Sequence, residues 1–308
     1  MNQLSLSIAW NDHKHQEVTD VIDEVRSLGF SAIELNYKLP AERFDLYAAA
    51  VGQQRITVPS IHNYCPIPEG YSVDTTNPDI PSLASIDEAT RQEAVASTKR
   101  TLQAAQRVKA KAIVVHSGRV ESEKRTYRLI ELSHEYGIES KEFLALRAEA
   151  IDERGSKQKE HFDALCTSYA ELIPVALDTQ VVLGVENRFH YCELPNPREC
   201  SELFRLFATP WLQYWHDVGH AFIHESLGFY PDGFYLESFY KNMVGMHIHD
   251  IMDLKDHQAP FTGDFNWYAL RRYDLSQVIK VIEVQSWNSA DDIRYGAERF
   301  ENEVLAVD

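Results

Sequence analysis

Short apolar runs of strand length alternate along the chain with segments whose apolar residues recur at helical spacing. Apolar residues at positions 18, 21, 22, 25 and 28 share one face of a predicted helix, and Gly29 follows as a typical helix stop. A short apolar run at 32–35 comes next and has the length of a strand. This unit of helix and strand repeats to the end of the chain.

Eight strands are predicted in this way, at residues 4–10, 32–35, 56–62, 112–115, 181–185, 212–218, from 244 onward, and at 277–284. Helices are predicted at 18–28, 41–52, 85–109, 159–178, 197–207, 236–241 and 291–305. Residues 119–157 are a charged, helix-prone insertion that we interpret as too polar for a core. Because strands and helices alternate without a linker, we predict an α/β protein, a single (β/α)8 barrel domain over residues 1–308 with insertions in its βα loops.

Composition narrows the classes of function. The net charge of −17 argues against a broad nucleic-acid-binding surface, which would carry clustered basic residues. Four cysteines without a CxxC pair argue against a disulfide framework. The chain has no long apolar run, and its N-terminus lacks the features of a signal peptide. We therefore expect a cytoplasmic protein without a membrane segment that binds a small molecule, either as a monomer or as a homo-oligomer.

Residues that bind metals or move protons stand at the ends of six consecutive predicted strands. They are His62, His116, Glu186, Asp217 with the following His220, His247 and Glu283. In a (β/α)8 barrel the carboxyl ends of the strands meet at the face that carries the chemistry. Unpaired charge is costly in a strand interior, so such residues in series indicate a divalent cation that gathers them. The dinucleotide fingerprint GxGxxG and the phosphate-binding GxxxxGK[ST] are both absent.

The types of candidate ligand bear on the metal. Two Glu, one Asp and at least one His form a mainly oxygen-donor set, which suits Mn²⁺, Mg²⁺ or Co²⁺. A larger share of His would favour Zn²⁺. Since the sequence offers both kinds of donor, it leaves the choice among these four metals open.

Other polar residues near these strand ends have less specific interpretations. Arg188 either grips a substrate phosphate or carboxylate or pairs with a ligating acid. His249 faces inward and is a candidate substrate-binding or supporting group, whereas His216 faces away from the barrel interior and is expected to pack behind it. The remaining histidines lie in predicted helices or loops and are expected to be solvated: His13, His15, His134, His161 and His224.

The motifs at these strand ends resemble those of the xylose isomerase-like barrel superfamily, which includes sugar phosphate isomerases and epimerases and the endonuclease IV group. The similar segments, from strand two to strand eight, are SAIEL, SIHNY, VVHSG, GVEN, HDVGHA, MHIHD and VIEV. PFTGDFNW resembles the Gly-containing loop of that superfamily after strand seven. The similarity spans nearly the whole chain.

In the ketose epimerases of this superfamily, one metal is held by Glu, Asp, His and Glu from strands five to eight. The resemblance implies that Glu186, Asp217, His247 and Glu283 hold the metal in this chain. It also implies that the two Glu act as acid and base on a sugar carbon, through an enediolate that the metal stabilises. That division of roles fits the chemistry of carboxylates and divalent cations.

Members of the endonuclease group hold up to three zinc ions, and their additional ligands match His62, His116 and His220 here. Their Asp-x-His pair after strand seven is replaced in this chain by adjacent Asp256 and His257. We favour a metal-dependent isomerase or epimerase of a sugar, a sugar phosphate or a related polyol or keto substrate. The alternatives are an endonuclease IV-like phosphodiesterase, disfavoured by the −17 charge and the altered pair, and a barrel that binds a sugar-like ligand without turnover.

Overall fold

Eight parallel strands close into a barrel in the computed structural model, which describes residues 3–306. Numbered in chain order, the strands are β1 Ser5–Ser7, β2 Ala32–Leu35, β3 Thr57–His62, β4 Ala112–Val115, β5 Val182–Glu186, β6 Leu212–Asp217, β7 Met243–Ile248, β8 Asp250–Met252, β9 Lys255–Gln258 and β10 Ile279–Ile282. β8 and β9 form a separate antiparallel hairpin, and the other eight form the barrel. The predicted (β/α)8 barrel is confirmed.

Helices follow the strands in chain order. They are α1 Val18–Ser27, α2 Ala41–Gly52, α3 Glu88–Arg107, α4 Thr126–Tyr136, α5 Lys141–Thr179, α6 Pro197–Leu206, α7 Val218–Ser226, α8 Phe234–Phe239 and α9 Ala290–Phe300. Each barrel strand pairs in parallel with the barrel strands before and after it in the chain, and β10 pairs with β1 to close the ring. All eight carboxyl ends therefore meet at one end of the barrel, where the candidate site lies.

Apolar side chains of the barrel strands separate into two layers. On β4, Ile113 and Val115 join the large core between the barrel and its helices, while Ala112 and Val114 join a small cluster with Trp215 and Val281. This alternation is expected of a strand that is buried on both faces.

The large indole of Trp215 is accommodated because its neighbour on β7 is glycine. A methyl group added at Gly245 would lie 2.1 Å from the Trp215 ring, closer than packed atoms approach. The ring of His247, two residues further along β7, also lies next to the indole, with 5.1 Å between the ring centroids. Trp215 thus packs directly against a residue of the candidate site.

The insertion at 119–157 contributes to the core, so its interpretation as too polar was wrong. Leu129 on α4 and Phe143 on α5 are fully buried. Arg154 on α5 is also buried, because its guanidinium forms two hydrogen bonds with the carboxylate of Glu199, at 2.9 and 2.6 Å. One buried face with an internally paired arginine is compatible with the otherwise charged sequence of this segment.

Strand six is one residue shorter than predicted, because Asp217 has two structural roles. It ends β6, and its carboxylate accepts a hydrogen bond from the His220 backbone N–H at 2.8 Å, so that it caps α7. Asp is a preferred N-cap residue since it satisfies a backbone donor that the helix leaves free. The sharp change from strand to helix places Asp217 at the mouth of the barrel.

Two histidines that were expected to be solvated are buried instead. His161 donates from Nδ1 to the Ala84 carbonyl at 2.8 Å and accepts from the Glu121 backbone N–H at 3.2 Å. His224 donates from Nε2 to the Phe189 carbonyl at 3.0 Å and accepts from the Tyr235 hydroxyl at 2.8 Å. Each neutral imidazole has one donor and one acceptor, and both are satisfied.

The predictions for the other histidines outside the candidate ligand set agree with the structure. His13 and His134 are exposed and His15 is half-buried. His216 is buried behind the barrel, where its Nδ1 donates to the Tyr214 hydroxyl at 3.0 Å, since that hydroxyl donates its own proton to Asn187 Oδ1 at 2.8 Å.

No helix within residues 3–306 is both long enough and apolar enough to cross a membrane. Although α5 spans 39 residues, charged side chains recur along it. The four cysteines are free thiols, and Cys65, Cys192 and Cys200 are buried.

Burial of a neutral imidazole predicts a pH-dependent stability. Burial is the main cause that lowers the pKa of His224 to about 3, and the hydrogen bond to the Phe189 carbonyl opposes this shift. The unfolded chain binds a proton near the ordinary His pKa of about 6.5, and the folded chain does not until the pH is far lower. Stability is therefore lost as the pH falls below about 6.5, by about 2 kcal/mol for this group between pH 7 and pH 5.

Urea unfolding of wild type and His224→Gln at both pH values measures this contribution. The difference in free energy of unfolding between pH 7 and pH 5 should be about 2 kcal/mol smaller in the variant. Equal differences in the two proteins would show that His224 is not buried as a neutral ring.

Candidate metal centre at the carboxyl ends of the strands

Four predicted ligands converge at the mouth of the barrel. Glu186 ends β5, Asp217 ends β6, His247 lies near the end of β7, and Glu283 follows β10. One ligand atom from each lies within 4.8 Å of the others. His247 Nδ1 is 2.7 Å from Glu186 Oε1, 3.1 Å from Glu283 Oε2 and 3.6 Å from Asp217 Oδ2.

Neighbouring histidines stabilise the ionised forms of the two buried carboxylates, Glu186 and Asp217. Burial alone would raise the pKa of Glu186, but hydrogen bonds and charge from His116 and His247 hold it well below its usual range. The pKa of Asp217 is also held well below its usual range, because the charges of His220 and His249 outweigh the effect of burial. Both carboxylates are therefore ionised.

His247 and Glu283 respond to the same crowding of carboxylates. Burial lowers the pKa of His247, but the charges of Glu283 and Glu34 and hydrogen bonds to the surrounding carboxylates place it well above its ordinary value. Burial raises the pKa of Glu283 to about 7, against the opposing charges of His247 and His257. A site that stabilises positive charge at its centre and is lined by carboxylates and one imidazole fits a divalent cation.

Glu34 is a member of this site that the sequence reasoning did not assign to it. The carboxylate projects inward from β2, 3.1 Å from His247 Nε2, and accepts a hydrogen bond from the Ser60 hydroxyl at 2.7 Å. When His247 donates from Nε2 to Glu34, the lone pair of Nδ1 faces the three carboxylates. Carboxylates commonly orient metal-binding histidines in this way. The sequence did contain a signal for this role, because Glu34 is an acidic residue inside the otherwise apolar predicted strand of the SAIEL motif.

His249, a predicted substrate-binding residue, supports Asp217. Its Nε2 lies 3.0 and 3.1 Å from the two oxygens of that carboxylate, and its Nδ1 accepts from the His257 backbone N–H at 2.9 Å. The side chain is fully buried and both of its ring nitrogens are used. We interpret His249 as a positioning residue for Asp217, while a direct substrate contact stays a prediction.

A second group of candidate ligands adjoins the first through Glu186. His62, His116 and Glu186 also place ligand atoms within 4.8 Å of one another, and His116 Nε2 lies 2.8 Å from Glu186 Oε2. Arg188 is inside this group, where Nη1 donates to Glu186 Oε2 at 2.7 Å. The structure shows the predicted ion pair between Arg188 and an acid that is a candidate ligand, and a contact of Arg188 with substrate stays a prediction. Asp79, on the loop after β3, was not predicted and lies 2.9 Å from His116 Nδ1.

A third group contains His220, Asp256 and His257. The nitrogens Nε2 of the two histidines lie 3.8 and 3.9 Å from Asp256 Oδ2. His220 Nδ1 donates to the Asn187 carbonyl at 3.0 Å, which leaves Nε2 as an acceptor. Adjacent Asp256 and His257 can share one site because the backbone at His257 is left-handed, with φ of 56°.

The hairpin of β8 and β9, which the sequence did not predict, carries Asp256 and His257 of this third group, while His220 lies on α7. Asp250, which begins the hairpin, anchors the loop that follows it by accepting from the Phe265 backbone N–H at 3.0 Å and from the Trp267 indole N–H at 2.9 Å. Gly263 in the PFTGDFNW segment allows close approach, since an added methyl group would lie 2.1 Å from the Ile251 carbonyl oxygen. The loop thus packs directly against the start of the hairpin.

A closed barrel with acidic and imidazole side chains at the carboxyl ends of six strands defines the class of protein. The chain belongs to the xylose isomerase-like TIM barrel family, whose sequence model matches residues 22–302. No curated protein sequence matches the chain significantly.

Solved structures with the same fold include two sugar epimerases. An L-ribulose 3-epimerase is 15% identical with a TM-score of 0.70, over 99% of this chain and 95% of that chain. A 3-keto-D-glucoside 4-epimerase from E. coli, without ligand, is 16% identical with a TM-score of 0.69, over 98% and 100% of the two chains. An AP endonuclease of family 2 from Brucella melitensis is 14% identical with a TM-score of 0.67, over 99% and 100%. At these identities the likeness concerns the fold.

The contact between Glu34 and His247 predicts a measurable effect on metal binding. Glu34→Gln keeps the shape of the side chain but weakens the acceptor that orients the imidazole, so the affinity for Mn²⁺ should fall about 10-fold or more. Calorimetric titration with Mn²⁺ measures this affinity. Glu24→Gln is the matched control, because Glu24 also pairs with a histidine, His15, at 2.8 Å but lies on α1 away from the site. An unchanged affinity in Glu34→Gln would remove Glu34 from the metal centre.

Proposed function

We propose that the protein is a divalent-metal-dependent isomerase or epimerase of a sugar, a sugar phosphate or a related polyol or keto compound. The observation that carries this proposal is the convergence of Glu186, Asp217, His247 and Glu283 at the carboxyl ends of the barrel strands. Membership of the xylose isomerase-like family and the epimerases among the similar folds support it.

The four converging residues would hold the cation, which when bound supplies polarisation of a carbonyl and of its neighbouring hydroxyl. Within this set, Glu283 is the group best placed to exchange a proton with a substrate carbon. Its side chain is 14% exposed, whereas that of Glu186 is 1% exposed. Glu186 is also bound by Arg188 and His116, while Glu283 contacts His247 alone within the set.

Proton transfer by a carboxylate requires an acceptor oxygen that can reach the reacting carbon. Glu283 satisfies this in the proposal by removing the proton next to the carbonyl and leaving an enediolate. Glu186, which is ionised in the protein alone, would have to take up a proton when substrate binds. It would then return that proton to the same carbon in an epimerisation or to the adjacent carbon in an isomerisation.

Replacing Glu283 tests the chemical step. Glu283→Gln keeps a carbonyl oxygen as a metal donor but cannot act as a base at neutral pH. Turnover of the best substrate from a panel of ketohexoses, ketopentoses and their phosphates should fall by about 10²–10⁴-fold, while Mn²⁺ is still bound. Glu298→Gln, on the exposed face of α9, is the control and should retain activity. Full turnover by Glu283→Gln would rule out the proposed base.

Deuterium incorporation provides an independent readout of the same step. Wild type incubated with substrate in D₂O should introduce deuterium at the epimerised or isomerised carbon, since the proton passes through a carboxyl group. Substrate bound in saturable fashion without turnover or exchange would instead indicate a non-catalytic sugar-binding barrel.

A phosphodiesterase of the endonuclease IV type is the second candidate, and the three adjoining groups of candidate ligands favour it. The net charge of −17 opposes it, because a DNA backbone would be repelled. We therefore expect a duplex with one abasic site to stay intact when incubated with Mn²⁺- or Zn²⁺-loaded protein, as judged by gel electrophoresis. Cleavage that is lost in His220→Ala but kept in Glu298→Gln would replace the isomerase proposal with this one.

A further inference from the structure

The group formed by His62, His116 and Glu186 already contains a cation. Arg188 Nη1 donates to Glu186 Oε2 at 2.7 Å and is in close contact with His116 Nε2. The carboxylate oxygen and the ring nitrogen that Nη1 contacts are atoms through which Glu186 and His116 could bind a metal ion in this group. The arginine is 7% exposed, so its charge is enclosed with them.

Acidic side chains hold the guanidinium in this position from its other side. Arg188 Nη2 lies 3.3 Å from Asp79 Oδ1 and 3.6 Å from Glu193 Oε1, and Glu193 is buried. Guanidinium groups do not lose their proton in proteins, so this positive charge is permanent. Displacing it would leave buried carboxylates without a counter-charge, which is strongly destabilising.

A divalent cation in the same place would meet this charge at short range. With metal–ligand bonds of about 2.0–2.2 Å, an ion bridging Glu186 and His116 would lie within about 4 Å of Arg188 Nη1. Repulsion between two cations at such a distance is strong where water cannot screen it.

We propose that Arg188 takes the place of a second metal ion beside Glu186, so that His62 and His116 bind no metal in the native protein. The inference rests on the proposed function, in which Glu186 belongs to a single-metal centre. His62 donates from Nδ1 to the Asn63 carbonyl at 3.0 Å, and its Nε2 is then an acceptor for a substrate hydroxyl. The fixed charge of Arg188 thereby separates this chain from barrels that gather several ions.

Metal content in a set of Arg188 and His62 variants tests the proposal. Each protein is saturated with Mn²⁺, freed of loosely bound ions by gel filtration, and analysed for bound Mn²⁺ per chain. Arg188→Met removes the charge but keeps a long unbranched side chain, and it should gain one ion relative to wild type. His62→Ala should leave the content of wild type unchanged, whereas Arg188→Met with His62→Ala should lose the gained ion.

Electron paramagnetic resonance gives a second readout on the same samples. Two Mn²⁺ ions that share Glu186 should show spin coupling in Arg188→Met, and wild type should not show it. Arg188→Lys keeps the positive charge and should have the content and spectrum of wild type. Comparison within the set also makes the test independent of any ion held by His220, Asp256 and His257.

Two results would overturn the role of Arg188: loss of one ion from wild type on His62→Ala, or a folded Arg188→Met with the metal content of wild type. If Arg188→Met does not fold, as judged by circular dichroism, a second ion in Arg188→Lys would overturn it equally. A wild type that binds no Mn²⁺ would refute the proposed function instead. Sugar turnover by a wild type with spin-coupled Mn²⁺ would refute the role of Arg188 alone.

Discussion

Two buried carboxylates, Glu186 and Asp217, and the partly buried carboxylate of Glu283 face one imidazole at the mouth of the barrel, and the surrounding residues compensate their charge. Glu34 holds the far side of the His247 ring, His249 donates to one carboxylate, and Arg188 pairs with another. Removing one member would leave a buried charge without its partner, which costs more than the loss of an ordinary contact. Electrostatic balance, beyond apolar packing, therefore determines which side chains can occupy this end of the barrel.

This balance also distinguishes two carboxylates of the same type. Glu186 lies at the junction of two groups of candidate ligands and is bound from several directions, including by His116 and Arg188. Glu283 lies just after a strand, is more accessible, and has its pKa raised mainly by burial. Carboxylates in different surroundings can carry different roles in one reaction. The fold thus gives two identical side chains different accessibility and different charged partners.

The barrel and most of its site could be predicted because parallel strands bring their carboxyl ends to one place. Residues at strand ends far apart in the chain, such as His62 and Glu283, could then be grouped without knowledge of the loops. Glu34 was missed because it stands inside a strand, and Asp79 because it lies on a loop whose path no periodicity determines. Burial of His224 depends on a carbonyl and a hydroxyl from other segments, which its own helix pattern does not contain.

The packing of Trp215 beneath the site has an optical consequence. Its indole is excluded from solvent and meets the edge of the His247 ring, with 5.1 Å between the ring centroids. Emission from a tryptophan in such a place depends on the charge of the imidazole beside it, since a protonated ring quenches an excited indole more than a neutral one. Because Gly245 leaves space for this side chain, a natural fluorophore lies next to the candidate ligand His247. The fluorescence of Trp215 can therefore be used to follow the charge of that imidazole without an added label.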